Sequence, residues 1–539
     1  MSIRRNIRLF PGLLMVCLLG SWALPQSAAP RLMARDAGGA DGPGEAMRLQ
    51  ALAVEVRITG FLAETRLVMT FFNPHDRILE GELLFPLPEG AVVSGYALDV
   101  NGVMVDGVAV EKAKGQRVFE TVVRRGVDPG LVEWVRGNNF RTRVYPLPPR
   151  GTRVVMVRYV TELDAGAEAF EYRLPLRLGE PLDDFKLRIV VEQVDSAPRV
   201  VEGGPAGLRF RDDRAGYRAE YQVRDARLDG ELRLAIPRAD TQRVLVEKAA
   251  DGWHYFCVLD EPAAAPPAGK AAAPHRVALY WDASGSRARA DLARELELLR
   301  AYFGRFPRRT VPVDLVVFRN EPDPPQRLDV ADGDTRALEA TLAAVVYDGG
   351  TQLGALPGPG LSRRPSLCLV VTDGNTTIGG EIPGRFAAPV YAISADLSAN
   401  HALLRHLAES GGGEYLNLGR TDPAAAAARI GTPRRILDRI DFDPARVDQP
   451  FPSGARPAPG RVILAGRLMG REAAVAFRYA TGRQQSRSGE YRVRREGAPE
   501  GNLLRTYWAQ RKVDELAAFP ERNRAELTAT GKQYGLVTP

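Results

Sequence analysis

Along this chain the spacing of apolar residues changes rhythm three times. From about Arg48, apolar and polar positions alternate. Leu52-Ala53-Val54-Glu55-Val56-Arg57-Ile58 has the period of two that half-buried strands show. Similar runs follow at Leu62 to Phe72, Leu79 to Phe85, Val92 to Val100, Val103 to Val110 and Thr152 to Tyr159, divided by turns such as Asn73-Pro74-His75-Asp76. Short strands with turns at this spacing predict an all-β sandwich over residues 48–163. Strand patterns continue at Glu168 to Leu176, Phe185 to Glu192, Gly216 to Val223, Gly230 to Ile236 and Trp253 to Leu259, a second β unit over 164–261.

At Arg276 the rhythm becomes that of an α/β unit. Val277 to Trp281 is a continuous apolar run, the mark of a strand buried on both faces. Leu292, Leu296, Leu299 and Phe303 then recur at helical spacing. Strands are expected at 311–318, 327–330, 367–371, 389–395 and 413–418. Helices are expected at 335–345 and from a Ser398 cap to Glu409. This alternation predicts a doubly wound, mostly parallel sheet over 275–432. Strand patterns return over 433–498, and a helix from Leu503 to about Ala518 opens a C-terminal helical segment, 499–539. The strands of 164–261 and 433–498 are expected to form one sandwich with the α/β unit inserted between them, because the ends of an inserted domain lie close together. The fold class is therefore multidomain: two β-sandwiches, an inserted α/β unit and a helical end.

Composition adds destination. With 45% apolar and 26% charged residues among 539, the chain can build several cores and is not disordered. Arg4, Arg5 and Arg8, the apolar stretch from Leu9 to Leu24, and Ser27-Ala28-Ala29 form a signal peptide over 1–29, which predicts export to the periplasm, the cell surface or the medium. Its removal lowers the formal net charge from +7 to +4, and basic residues are interspersed with acids, so no nucleic-acid surface is indicated. No other stretch approaches the ~18 apolar residues of a membrane span. Residues 30–47 read as a flexible linker and 262–274 as an Ala/Pro linker. Cys257 and Cys368 sit in apolar runs, where buried thiols are favoured over a disulfide that spacing alone cannot establish.

The chemistry sits at the ends of two apolar strands. Asp282, Ser284 and Ser286 follow the first as Asp-x-Ser-x-Ser, and Asp373 follows the second in Thr372-Asp373-Gly374. Between them Gly349-Gly350-Thr351 supplies a loop hydroxyl. In open α/β sheets ligands bind at the carboxyl ends of strands, and hard oxygen donors suit Mg²⁺, Mn²⁺ or Ca²⁺. The set resembles the metal-ion-dependent adhesion site (MIDAS) of the von Willebrand factor type A (VWA) family, with all five positions filled: Asp282, Ser284, Ser286, Thr351 and Asp373. The resemblance implies direct ligation by both serines. It also implies contact through water by the aspartates, and a position left for an acidic side chain of a protein partner. Arg287 stands where methionine is common and is expected to place positive charge near the rim, while Gly285, Gly349 and Gly350 allow the tight loops.

A second resemblance covers residues 48–163. Asn73, the FPLP at 85–88, Glu111-Lys112, Phe119-Glu120, Gly126, Leu131-Val132-Glu133, Phe140 and the turn from Pro146 to Pro149 are similar in order to the VIT domain of vault proteins and inter-alpha-trypsin inhibitor heavy chains. The helix at 503–518 and the closing QYGLVTP resemble the heavy chains too, where the chain continues into a further strand. The expectation is an exported, cation-dependent adhesion protein. The alternatives are a hydrolase using the same cation and an envelope scaffold. No HExxH, GxSxG or phosphate-cradling Gly-Lys-Ser/Thr pattern occurs, and no enzyme activity is expected.

Overall fold

The computed structural model describes residues 30–36, 44–86, 91–100, 102–107, 131–135, 139–166, 168–214, 216–228, 230–238, 243–262, 273–358, 360–361, 363–380, 383–396, 399–419, 421–432, 435–458, 460–481, 484–520 and 522–536. The signal segment, most of the Ala/Pro linker, the VIT-type residues Glu111, Lys112, Phe119, Glu120 and Gly126, and Ser398 lie outside them.

Alternating burial along β1 (Glu45–Thr59) and β2 (Leu62–Phe72) puts Leu52, Val54, Val56, Leu67 and Met69 on the core side, and the two pair antiparallel with a bulge between Leu49 and Ala51. β3 (Thr152–Glu162) pairs with β2 on the other side. The turn after β2 is held by Asn73, whose buried amide donates to the carbonyls of Arg77, Leu147 and Pro148 and accepts from the His75 amide. That explains an asparagine at this place without chemistry. The linker expected over 30–47 is overturned: Arg31–Asp36 is a strand paired with both β1 and Leu79–Pro86. Leu32 and Ala34 alternate into the core there, a signal too short to stand out among Ala, Gly and Asp.

The expected unit 164–261 is also divided. β4 (Leu182–Glu192) lies parallel against β1, with Phe185 opposite Leu52, and extends the first sheet. Ala169–Pro175 and Glu231–Pro237 form a separate small sheet. Among the described residues of this unit, only Val244–Lys248 and β5 (His254–Asp260) join the later strands. Sequence pattern gives strands but not partners, and here one long apolar core runs under all these sheets.

The α/β unit consists of β6 (Val277–Asp282), α1 (Leu292–Phe303), β7 (Thr310–Phe318), β8 (Gln326–Ala331), α2 (Arg336–Ala343), β9 (Leu367–Val371), β10 (Val390–Ser394), α3 (His401–Ser410), β11 (Glu414–Asn417) and α4 (Pro423–Arg429). The sheet order is β8-β7-β6-β9-β10-β11, with β8 antiparallel and the rest parallel. Every residue of β6 is buried because helices cover both faces: Leu279 and Trp281 share one core with Leu298, Leu299 and Tyr302 of α1, while Ala278 and Tyr280 share another with Leu403 and Leu407 of α3. Asn400, not the expected Ser398, caps α3 through the Leu403 amide, 3.1 Å. The alanine-rich α4, capped by Asp422, was not anticipated.

After the α/β unit, β12 (Val462–Leu468) pairs antiparallel with β5, Cys257 opposite Ala465. Arg435–Phe442 pairs with β13 (Glu472–Thr481) in a facing sheet. The helical end is no appendage. α5 (Leu503–Leu516) buries Trp508 against Tyr255, Phe451 and the Tyr534 ring of α6 (Arg524–Tyr534). Among the described residues no helix is long and apolar enough to cross a membrane. Cys257 and Cys368 are buried free thiols in separate cores, and burial pushes the Cys368 thiol up to about 12.

Candidate metal centre

The strand order reverses between β6 and β9, so the loops leaving these two neighbours diverge and open a crevice at their carboxyl ends. Asp282 ends β6. Its Oδ1 accepts the Ser284 amide at 2.9 Å and its Oδ2 accepts the Thr372 hydroxyl at 2.5 Å. The first bond bends the chain into a 3₁₀ turn, Gly285–Arg289, and the second ties it to the end of β9. The Oγ atoms of Ser284 and Ser286 lie 3.1 Å apart, and Ser286 donates to Asp373 Oδ2 at 2.6 Å. Asp373 is aimed by its neighbours: Oδ1 accepts the Asn375 amide at 2.8 Å, and its carbonyl accepts the amide of Asn400 at 2.7 Å.

The threonine loop is laid over the serine loop by backbone bonds, Asp348 N–H to Ala283 C=O at 3.0 Å and Gly285 N–H to Gly349 C=O at 3.1 Å. Gly349 has φ +68°, a conformation that favours glycine. At Gly350 a Cβ would fall 2.6 Å from Ile378 Cδ1 and Thr377 Oγ1. Thr351 is 1% exposed, its amide donates to Thr377 Oγ1, and its own Oγ1 is buried with no hydrogen-bond partner. The structure thus links Asp282, Ser284, Ser286 and Asp373 by hydrogen bonds and stacks the Thr351 loop on the same turn.

Burial dominates the electrostatics. It raises the Asp282 pKa, although hydrogen bonds from Thr372 and Ser284 pull the other way, and the Asp373 charge adds to the rise. A buried carboxylate pair, two neighbouring hydroxyls and an unspent threonine oxygen form a donor set that fits a hard divalent cation. Among the described residues no group of three or more His, Cys, Asp or Glu side chains is placed to hold a metal ion, so a cation held here depends on hydroxyl oxygens.

The expectation for Arg287 is overturned. Its side chain is 0% exposed, not at the rim, and it pairs with Glu295 of α1, equally buried. Burial opposes the guanidinium charge, and Glu295, with Asp282 and Asp373, outweighs that and raises its pKa. Sequence reading also missed Thr372, Asn320, whose Oδ1 accepts the Gly350 amide at 2.8 Å, and Glu295, whose Oε1 accepts the Ala395 amide at 3.1 Å. Thr372 was findable, being a hydroxyl adjacent to the second aspartate. Glu295 looked like one more polar position on an amphipathic helix.

A family model for the vault protein inter-alpha-trypsin domain matches residues 49–159. The chain carries a VIT domain. It is also homologous to inter-alpha-trypsin inhibitor heavy chains: heavy chain H4 of Homo sapiens is 22% identical over 421 residues, 68% of this chain and 43% of that protein. Protein mono-ADP-ribosyltransferase PARP4 of Homo sapiens is 28% identical over 167 residues, 29% of this chain and 10% of that one. The chain spans less than half the length of each of these curated relatives. Solved structures similar to this VIT-containing chain include a von Willebrand factor type A protein from Catenulispora acidiphila, 13% identical over 51% of this chain and 84% of that one, TM-score 0.26. The ArnB paralog VWA2 from Sulfolobus acidocaldarius is 13% identical over 54% and 87%, TM-score 0.27.

Proposed function

We propose that this chain is an exported adhesion protein that binds a protein partner's acidic side chain through a divalent cation at the β6–β9 crevice. Asp282 and Asp373 would balance the cation's charge, and Ser284, Ser286 and Thr351 would give neutral oxygens. A bound Mg²⁺, or Mn²⁺ or Ca²⁺ in its place, supplies Lewis acidity toward an anionic oxygen. The chain's own residues orient the donors: Thr372 and the Ser284 amide fix Asp282, and the Asn375 amide fixes Asp373.

The observation that carries this reading is Thr351 Oγ1. A buried hydroxyl without a partner costs about 1–3 kcal/mol, and a cation shared with Ser284 and Ser286 would satisfy it. The adhesion role draws on the VIT match and on the homology to the heavy chains. Export draws on the basic and apolar pattern of the first 29 residues.

The test is capture from a native envelope extract with Mg²⁺ present and then chelated, using the wild-type chain and Asp282→Ala. Capture that needs the metal and is lost in the variant is expected. Equal capture by D282A, or capture indifferent to chelation, overturns the proposal. A melting temperature that rises with Mg²⁺, without any captured protein, would leave the metal stiffening a scaffold instead.

A further inference from the structure

We propose that Arg287 is a fixed internal cation that competes with the divalent metal for Asp282 and Asp373, and that Glu295 restrains it, so that this buried pair sets the metal affinity of the site. The inference rests on the metal-dependent reading above and names a control built into it.

Three observations support it. First, the backbone of Arg287 is anchored in the loop that carries the candidate ligands. The Arg287 amide donates to Ser284 C=O at 3.0 Å and its carbonyl accepts the Ala290 amide at 3.0 Å, so its backbone is part of the turn that carries Ser286. Second, the guanidinium is buried but not satisfied. Nη2 donates to Glu295 Oε2, while Nε and Nη1 have no hydrogen-bond partner. A buried arginine cannot shed its proton, so unspent N–H groups are a standing cost that an apolar side chain of similar volume would avoid. Third, hydrogen bonds join the Arg287 turn to both aspartates. Ser284, whose carbonyl accepts the Arg287 amide, donates its own amide to Asp282 at 2.9 Å, and Ser286, the residue before Arg287, donates to Asp373 at 2.6 Å. Both carboxylates also raise the Arg287 pKa, along with Glu295. The guanidinium is therefore inside the field that a cation would enter.

With Asp282, Asp373 and Glu295 ionised, three buried carboxylates and one buried guanidinium carry a net charge of −2 that a divalent cation neutralises. Glu295 is held in place from its other side, since Oε1 accepts the Ala395 amide at 3.1 Å. It thereby ties Arg287 to the end of β10. Without the Glu295 charge the guanidinium has only Asp282 and Asp373 as counter-ions, and the net charge falls to −1. Metal must then displace arginine. Neutralising both partners returns the count to −2.

The experiment measures Mn²⁺ binding to the full chain by electron paramagnetic resonance and Mg²⁺ binding by calorimetry, for the wild type, Glu295→Gln and Arg287→Met with Glu295→Gln. Glutamine keeps an oxygen for the Ala395 amide. E295Q is expected to weaken Mn²⁺ by about tenfold or more, as loss of one nearby buried charge implies. The double variant is expected to recover affinity to within about threefold of wild type. A pair that only stiffens the loop predicts the reverse ranking, with the double variant no better than E295Q. That result overturns the inference, as does an E295Q affinity equal to wild type. If the double variant does not fold, E295Q decides alone, and Glu295→Asp, which keeps the charge, should bind more tightly than E295Q. A wild-type chain that binds no Mn²⁺ overturns the metal-dependent reading together with this one, which separates the two failures.

Discussion

At the residue scale the site depends on side chains whose meaning comes from what they lack. Thr351 Oγ1 has no partner although it is buried, and its amide is fully engaged by Thr377. Thr351→Val removes the hydroxyl and keeps the shape. Metal-free stability should stay within about 1 kcal/mol of wild type or rise, because an unsatisfied polar atom is removed. The Mg²⁺-induced rise in melting temperature should shrink or vanish. Denaturant unfolding and thermal melts with and without Mg²⁺ check both; a destabilised variant that keeps its metal response would count against the assignment. Gly349 makes the same loop possible by a backbone route. With φ +68° and an Asn320 side-chain oxygen 3.0 Å from where a Cβ would stand, Gly349→Ala should cost about 1–2 kcal/mol in urea unfolding. The Asp-x-Ser-x-Ser pattern was legible because its residues are adjacent in the chain and follow a visibly buried strand. Arg287 was misplaced because a charge read from sequence is assumed to be solvated, whereas here its partner is eight residues on, one helix away.

At the element scale the helices are positioned by tertiary capping as much as by their own sequence. α5 begins after Asn502, whose side chain makes no capping bond to the helix. The Leu504 amide instead donates to Glu247 on the strand before β5, at 2.9 Å. Burial raises the Glu247 pKa above 4.5, against the pull of that amide and of Arg57. A carboxyl whose folded pKa is raised contributes its full share of stability below the unfolded value and loses it as pH rises through the folded value. The stability difference between wild type and Glu247→Gln should therefore fall as pH rises from about 4.5 toward neutrality. Calorimetric melts across that range measure it, and a difference that is flat or grows with pH would refute the assignment. The order of strands and helices in the α/β unit was readable, since a buried parallel strand and an amphipathic helix have different periods. The strand Arg31–Asp36 and the short helix α4 were not, because both are brief and built from residues common in loops.

At the scale of the whole molecule one helix joins the parts. Trp508 of α5 is buried among Tyr255, Phe451 and Tyr534, the Tyr507 hydroxyl donates to Glu162 at the end of β3, and Phe519 beyond the helix packs on the α/β core beside His406. Trp508→Ala should destabilise the chain by about 3–5 kcal/mol. Hydrogen exchange should then quicken in β3 and β12 together, although the sequence lengths between them would suggest separate domains. Quickening confined to the residues around position 508 would show that α5 is not a shared core element.

The sequence alone determined the local periods, the five oxygen-bearing residues and the VIT pattern, because each is written within a few neighbouring positions and follows from strand or helix geometry. Only the tertiary structure decided that β4 joins the first sheet, that the helical end is a central core element, and that Arg287 and Glu295 lie buried as a pair beside the candidate ligands. Those outcomes turn on which surfaces meet and how much water they exclude, and neither quantity exists until distant segments are brought together.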